Sequence, residues 1–145
     1  MSIDSSGTWW RGTEPRDIEA FLKAYTASKQ PIREFRPCIC PCGGKVFLLE
    51  GDPREGGARR TCFQCRTGFF IADSEENWDD FKPVACRCVE CHTEPHQAGV
   101  GFALDEHGEV LRIFVGVRCV NCGVLGCFAH WKIGYAPSRH LLDLV

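Results

Sequence analysis

Cys88-Val89-Glu90-Cys91 and Cys119-Val120-Asn121-Cys122 decide the fold of this chain. Between them, residues 97–104 read as a strand, Asp105-Glu106-His107-Gly108 as a turn and residues 109–118 as a second strand. A hairpin brings its two ends together, so the two thiol pairs converge on one tetrahedral metal ion. A looser copy lies upstream, in Cys38-Ile39-Cys40-Pro41-Cys42 and Cys62-Phe63-Gln64-Cys65. There residues 45–50 read as a strand, residues 51–57 as a turn-rich loop and residues 68–72 as a further strand. Gly43-Gly44 suits the tight turn that points backbone N–H groups at thiolate sulfur.

The two stretches align as an internal repeat. Each opens with Cys-x-Cys and a third cysteine close behind, at 38, 40, 42 and at 86, 88, 91, and each closes with Cys-x-x-Cys, at 62/65 and 119/122. Matching Cys86 to Cys38 makes Cys40 the partner of Cys88. The expected ligands are therefore Cys40, Cys42, Cys62 and Cys65 for one ion, and Cys88, Cys91, Cys119 and Cys122 for another. Cys38, Cys86 and Cys127 are left over. Free buried cysteine behaves as a small hydrophobe, and the alternative is a third metal using Cys38, Cys86 and a histidine.

At the level of these knuckles the chain resembles the zinc-ribbon fold group, whose members often serve transcription and translation. Cys40-Pro41-Cys42-Gly43 also resembles the Cys-Pro-Cys-Gly half-site of zinc-binding SEC-C motifs, over four residues; the remainder of that motif is absent. The resemblance implies zinc, two structural ions per chain. Rubredoxin-like iron fits four thiolates equally well. Cys88-Val89-Glu90-Cys91-His92 matches the haem-attachment pattern, but Met1 is the only methionine to serve as a second axial ligand, and haem leaves Cys119/Cys122 unexplained. A thioredoxin-like pair explains one Cys-x-x-Cys and requires a βαβ context that is missing. His92 and His96 could each replace a cysteine ligand; with four cysteines in register both read as surface histidines.

Composition bounds the rest. The 145 residues are 44% hydrophobic and 25% charged, with net charge −2, so nothing overall draws the chain to nucleic acid or to an anionic membrane. No apolar run approaches a membrane span, and the opening residues lack the basic and apolar regions of a signal peptide. These features point to the cytoplasm, where eleven cysteines are better explained by metal than by disulfides.

The expected architecture is α+β: two tandem zinc ribbons with an N-terminal helix packed on them. Residues 1–34 form the N-terminal segment, 35–73 the first ribbon, 74–83 an acidic linker, and 84–145 the second ribbon with a docked apolar tail. Thr13 reads as a helix N-cap, and Ile18, Phe21, Leu22 and Tyr25 form one stripe on a helix over residues 14–27.

Four thiolates close a tetrahedron and leave no position for substrate, so both sites read as structural. The chain contains no Gly-x-Ser-x-Gly, P-loop or His-Glu-x-x-His. The expected function is non-catalytic, by stoichiometric binding of a protein partner, as immunity, inhibitor or adaptor proteins act. Trp9, Trp10 and Trp78 are the candidate anchors, with the acidic side chains Glu75, Glu76, Asp79 and Asp80 beside the last. The alternatives are a nucleic-acid-binding ribbon and a metalloenzyme using the histidines. Residues 1–66 carry 11 basic and 8 acidic side chains and residues 67–145 carry 6 and 11, so a basic patch could form on the first ribbon from Lys45, Arg54, Arg59, Arg60 and Arg66.

Overall fold

The computed structural model describes residues 3–145; Met1 and Ser2, which open the 1–34 segment, lie outside the described residues. It is a mixed α+β structure with one antiparallel sheet of eight strands: β1 (Glu34–Pro37), β2 (Phe47–Asp52), β3 (Gly57–Cys62), β4 (Gly68–Phe70), β5 (Val84–Ala85), β6 (His96–Leu104), β7 (Val110–Cys119) and β8 (Leu125–Lys132). One α-helix, α1 (Asp17–Thr26), packs on it.

Six of the strands run in the order β4-β3-β2-β6-β7-β8, joined at the centre by the pair Phe47↔His96. Both cysteine-bearing hairpins thus belong to one sheet. β1 leads into the first cysteine cluster, yet its partner is β6, through Arg36↔Val100 and Pro37↔Gly99. β5 leads into the second cluster, yet its partner is β2, through Val84↔Gly51 and Ala85↔Glu50. Each hairpin leaves one edge with unpaired backbone groups, and the lead-in strand of the other half satisfies them.

α1 begins at Asp17, later than the pattern suggests, and Thr13 does not cap it. The Asp17 carboxylate turns back and accepts the N–H groups of Thr13 (2.8 Å) and Glu14 (3.1 Å), so the first turn is closed by an acidic side chain from within the helix. Ile18 and Leu22 are fully buried, but Tyr25 is 49% exposed. Thr26 takes the third place in the buried stripe: its hydroxyl donates to Leu22 O (2.8 Å) and accepts the Ile32 N–H (3.2 Å). The helix sits close because the sheet beneath it is bare. A Cβ at Gly116 would lie 2.6 Å from Ile18 Cγ2, and one at Gly101 would lie 3.2 Å from Leu22 Cδ1.

The alternation of β6 and β7 divides two cores. Ala103 and Phe114 join Ile18, Leu22, Ile32 and Leu125 under the helix. Val100, Phe102, Ile113, Val115 and Val117 face the other way, onto a cluster that includes Phe47, Leu49, Ile71, Leu141 and Leu142. The apolar tail is thus docked, through a 3-10 turn at Arg139–Asp143.

The acidic linker is built into the structure. Residues Ser74–Asp80 form a 3-10 segment kinked at Asn77. Ser74 is buried, accepting Ala58 N–H (2.9 Å) and donating to Ile71 O. Asp73 accepts from Trp131 Nε1 (3.1 Å) and from the Tyr135 hydroxyl (2.8 Å).

Candidate metal centres

The eight expected thiols fall into two groups, Cys40/Cys42/Cys62/Cys65 and Cys88/Cys91/Cys119/Cys122, and within each the sulfurs lie within 4.8 Å of one another. In the first, Cys40 and Cys65 Sγ are 3.5 Å apart and Cys42 and Cys62 Sγ 3.6 Å. In the second, Cys88 and Cys122 Sγ are 3.4 Å apart and Cys91 and Cys119 Sγ 3.5 Å. A metal–sulfur bond of about 2.3 Å, as zinc makes, sets a tetrahedral edge of about 3.8 Å. The sulfurs stand just inside that edge, so the donor set and its spacing fit one four-coordinate ion each.

The backbone explains the convergence. Each group is two turns that reverse after a first cysteine. Cys40 N–H donates to Gly44 O (2.9 Å) and Cys88 N–H to Thr93 O (3.0 Å). Cys62 N–H donates to Thr67 O (3.0 Å) and Cys119 N–H to Val124 O (2.9 Å). Every turn needs one residue at positive φ: Gly43 (91°), Arg66 (66°), His92 (63°) and Gly123 (82°). The pairs Phe47↔Cys62 and His96↔Cys119 then place each turn at the root of its hairpin. The extra residue of the Cys88–Cys91 turn is absorbed without moving these bonds.

Hydrogen bonds hold one sulfur of each centre strongly toward the thiolate form, while Cys42 and Cys122 are pushed up to about 12. The Thr93 hydroxyl, followed by the Asn121 side chain, brings Cys91 down to about 5. The Thr67 hydroxyl and N–H bring Cys65 down to about 6. Cys38, Cys86 and Cys127 behave oppositely, since burial pushes each up to about 12, as it does for a thiol that acts as a small apolar side chain. Among the described residues no metal-ligating cluster joins Cys38, Cys86 and a histidine.

Of the two histidines expected at the surface, one departs from that expectation. His96 is buried rather than on the surface; its Nδ1–H donates to Glu94 O (2.8 Å), leaving Nε2 4.0 Å from Cys86 Sγ. His92 is exposed and fills a left-handed turn position.

The candidate contact residues separate. Trp78 is half-buried, edge-on to Phe70 (5.2 Å) and Phe81 (5.7 Å), with the Arg59 guanidinium 5.2 Å from its ring centre. Glu75, Glu76, Asp79 and Asp80 are exposed around it. Trp10 packs edge-on against Phe21, and Trp9 is 44% exposed. Of the basic patch, Arg60 is buried between Phe47 and Phe69, Arg59 pairs with Glu50, and Arg66 stacks on Phe63; Lys45 and Arg54 remain exposed.

A groove of about 500 Å³ opens beside the second centre, walled by Trp9, Trp10, Phe21, Tyr25, Val89 and Phe128. Sequence pattern does not mark Tyr25 or Val89 as contact residues. The one signal for Val89 is its place between two ligands, where a turn that wraps sulfur must point its own side chain outward; it is 55% exposed. Among the described residues, no helix is long and apolar enough to cross a membrane. Comparison with family models, with curated proteins and with solved structures gives no match, so the thiol geometry and the groove beside it are the basis for any assignment.

Proposed function

We propose that the chain is a non-catalytic protein carrying two structural zinc ions, in two zinc-ribbon units, and that it acts by binding a protein partner in fixed stoichiometry, as an immunity, inhibitor or adaptor protein does. Zinc suits closed sets of four thiolates, which it holds without redox chemistry. The matched turn bonds and reciprocal lead-in strands support reading the two halves as copies of one unit. Eleven cysteines, none of them in a disulfide, fit a reducing compartment such as the cytoplasm.

The observation that carries partner binding is the groove. Trp9, Tyr25 and Val89 present large exposed apolar surface around one concavity, and aromatic anchors beside a pocket are how protein interfaces concentrate their affinity. The occupant is an apolar side chain of a partner protein; the flanking Glu90 and the exposed acidic segment favour a partner with a basic rim.

A photo-crosslinking side chain at position 9 tests this. The protein crosslinked there should be the one that wild type retains at equal stoichiometry, and the double variant Trp9→Ala/Val89→Asp should lose it while still holding two zinc ions. Charge reversal of Glu75, Glu76, Asp79 and Asp80 together should weaken the same complex. Retention of the partner by the groove variant would sink the proposal. So would recovery of nucleic acid, bound tightly at physiological salt and lost on Lys45→Glu/Arg54→Glu.

A further inference from the structure

On the helix-covered face of the sheet, beyond Tyr25, lies a second cavity of about 360 Å³, bounded by the end of α1, β7 and β8. We propose that it binds the phosphoryl group of a small phosphate monoester, a ligand of nucleoside-monophosphate size. The site is separate from the metal centres and from the groove's partner-binding role, though Tyr25 walls both.

The cavity is built around Arg112. Its Nε donates to Gln30 Oε1 (3.3 Å) and its Nη1 to His130 Nδ1 (2.8 Å). Two side chains are thus spent on orienting one guanidinium, which a solvated surface arginine does not require. The bond to Nδ1 also fixes His130. Its proton sits on Nε2, and the ring stacks on Phe114 at 5.6 Å and 26°. Gln30, having given its oxygen to Arg112, keeps its amide N–H groups. Lys29 adds an ammonium to the lining. Thr26 contributes no free hydroxyl, since its oxygen is engaged by Leu22 O and Ile32 N–H. What remains is almost wholly donors, and no carboxylate lines the cavity. Such a lining matches a group that only accepts, and phosphate with its three terminal oxygens is that group.

Charge tells the same story. Lys132 stands directly across the β7–β8 ladder from Arg112, a like-charge pair of the kind that destabilises a sheet. Among the described residues, none of Lys29, Arg112 and Lys132 forms an ion pair. Residues 67–145 are acidic overall, with 6 basic and 11 acidic side chains, so this concentration of cations is local. His130 senses it: burial, then Arg112, then Lys29 hold its pKa below the usual histidine value. A dianion held in the cavity by Lys29 and Arg112 offsets this excess of positive charge. The exposed ring of Tyr25, stacked on Phe21 at 5.7 Å, offers a flat wall to the remainder of the ligand.

The test uses the zinc-loaded full chain, with the His130 ring resonances followed by NMR during titration with inorganic phosphate, adenosine monophosphate and adenosine. Phosphate and the monophosphate should both shift His130 saturably, the monophosphate with a Kd of about 1 mM or tighter, and adenosine should not. Arg112→Gln should weaken the monophosphate at least tenfold, about 1.4 kcal/mol. Because Arg112 also ties Gln30 to His130, Lys29→Gln at an exposed position serves as the second variant and should weaken binding without altering zinc content. Trp9→Ala should leave it unchanged. The assignment is overturned if neither phosphate nor the monophosphate moves His130, or if Lys29→Gln and Arg112→Gln both bind as wild type does. Inorganic phosphate binding as tightly as the monophosphate would overturn the small-ester part, and RNA binding far more tightly, in a length-dependent way, would overturn the small-molecule assignment.

Discussion

The two sulfur centres have the same backbone and different covers. In the first, Cys42 and Cys65 are exposed; in the second, their counterparts Cys91 and Cys122 are half-buried. The Thr93 hydroxyl touches two sulfurs of the second centre, Cys91 at 3.1 Å and Cys119 at 3.4 Å. The matching turn position of the first is Gly44, where a Cβ would stand 2.7 Å from Cys62 Sγ and so leaves no room for such a side chain. The N-terminal segment also straps the second centre: Arg11 Nη1 donates to Cys122 O (3.0 Å), and Gly12 N–H to Gly123 O (2.8 Å). Backbone turns thus set where the sulfurs stand, while side chains and a strap set how readily they are reached.

The most severe way to break this comparison is to remove a ligand from each centre. Cys119→Ser or Cys88→Ser should drop metal content from two ions to one and unfold at least the second half, with loss of metal-linked folding energy on the order of 10 kcal/mol. Cys40→Ser should also lose one ion, but the long β6–β7–β8 meander keeps its core under α1 and should stay protected in amide exchange. Equal collapse in both variants would show that the halves do not differ in autonomy.

Acid should separate the centres next. A thiol of 9.0 brought down to about 6 at Cys65, and to about 5 at Cys91, favours the proton-free folded site. That contribution is complete above about pH 9 and is lost as pH falls through the folded value. Metal release followed during acidification should therefore empty the first centre before the second. A chelator at neutral pH should follow the same order, in two phases. A single phase with equal release would mean that cover and hydrogen bonding do not distinguish them.

Smaller effects come from the turns. Glycine occupies the left-handed position at Gly43 and Gly123, while Arg66 and His92 hold the matching positions with side chains. His92→Gly should raise stability by about 1 kcal/mol in urea unfolding, and Arg66→Gly by less, because it forfeits the stack on Phe63 at 4.8 Å. A loss of stability in His92→Gly would indicate a contact for that imidazole. Least of all should come from Cys127→Ser: two ions retained, and stability within about 1 kcal/mol of wild type. Loss of an ion there would place a ligand outside the eight.

Spacing and the alignment of the two halves made the eight thiols legible, because a cysteine pair at a hairpin root has few other uses. The helix was legible through Ile18 and Leu22, but not its start, since Asp17 reaching backward to cap leaves no pattern in sequence. The lead-in strands were hidden. Glu34–Pro37 is four residues long with a proline at its end, and its partner Gly99–Phe102 lies some sixty residues on, beyond the reach of any local signal. Burial of Arg60 was equally silent: an arginine beside Arg59 and Thr61 reads as surface until two phenyl rings enclose it. The cavity around Arg112 draws on Gln30 and His130, which only the packed fold brings together.

The exchange of lead-in strands has a consequence for the order in which the protein comes off the ribosome. Once Cys65 has emerged, all four sulfurs of the first centre exist. Yet β1 has no partner until Gly99–Phe102 follow, about 35 residues later, or about 2–7 s at ordinary rates of synthesis. Metal capture at the first centre can thus precede closure of the sheet that seats it. A nascent chain halted near residue 95 should hold one ion while the Cys38 amide, whose acceptor is Ala98 O, still exchanges freely with water.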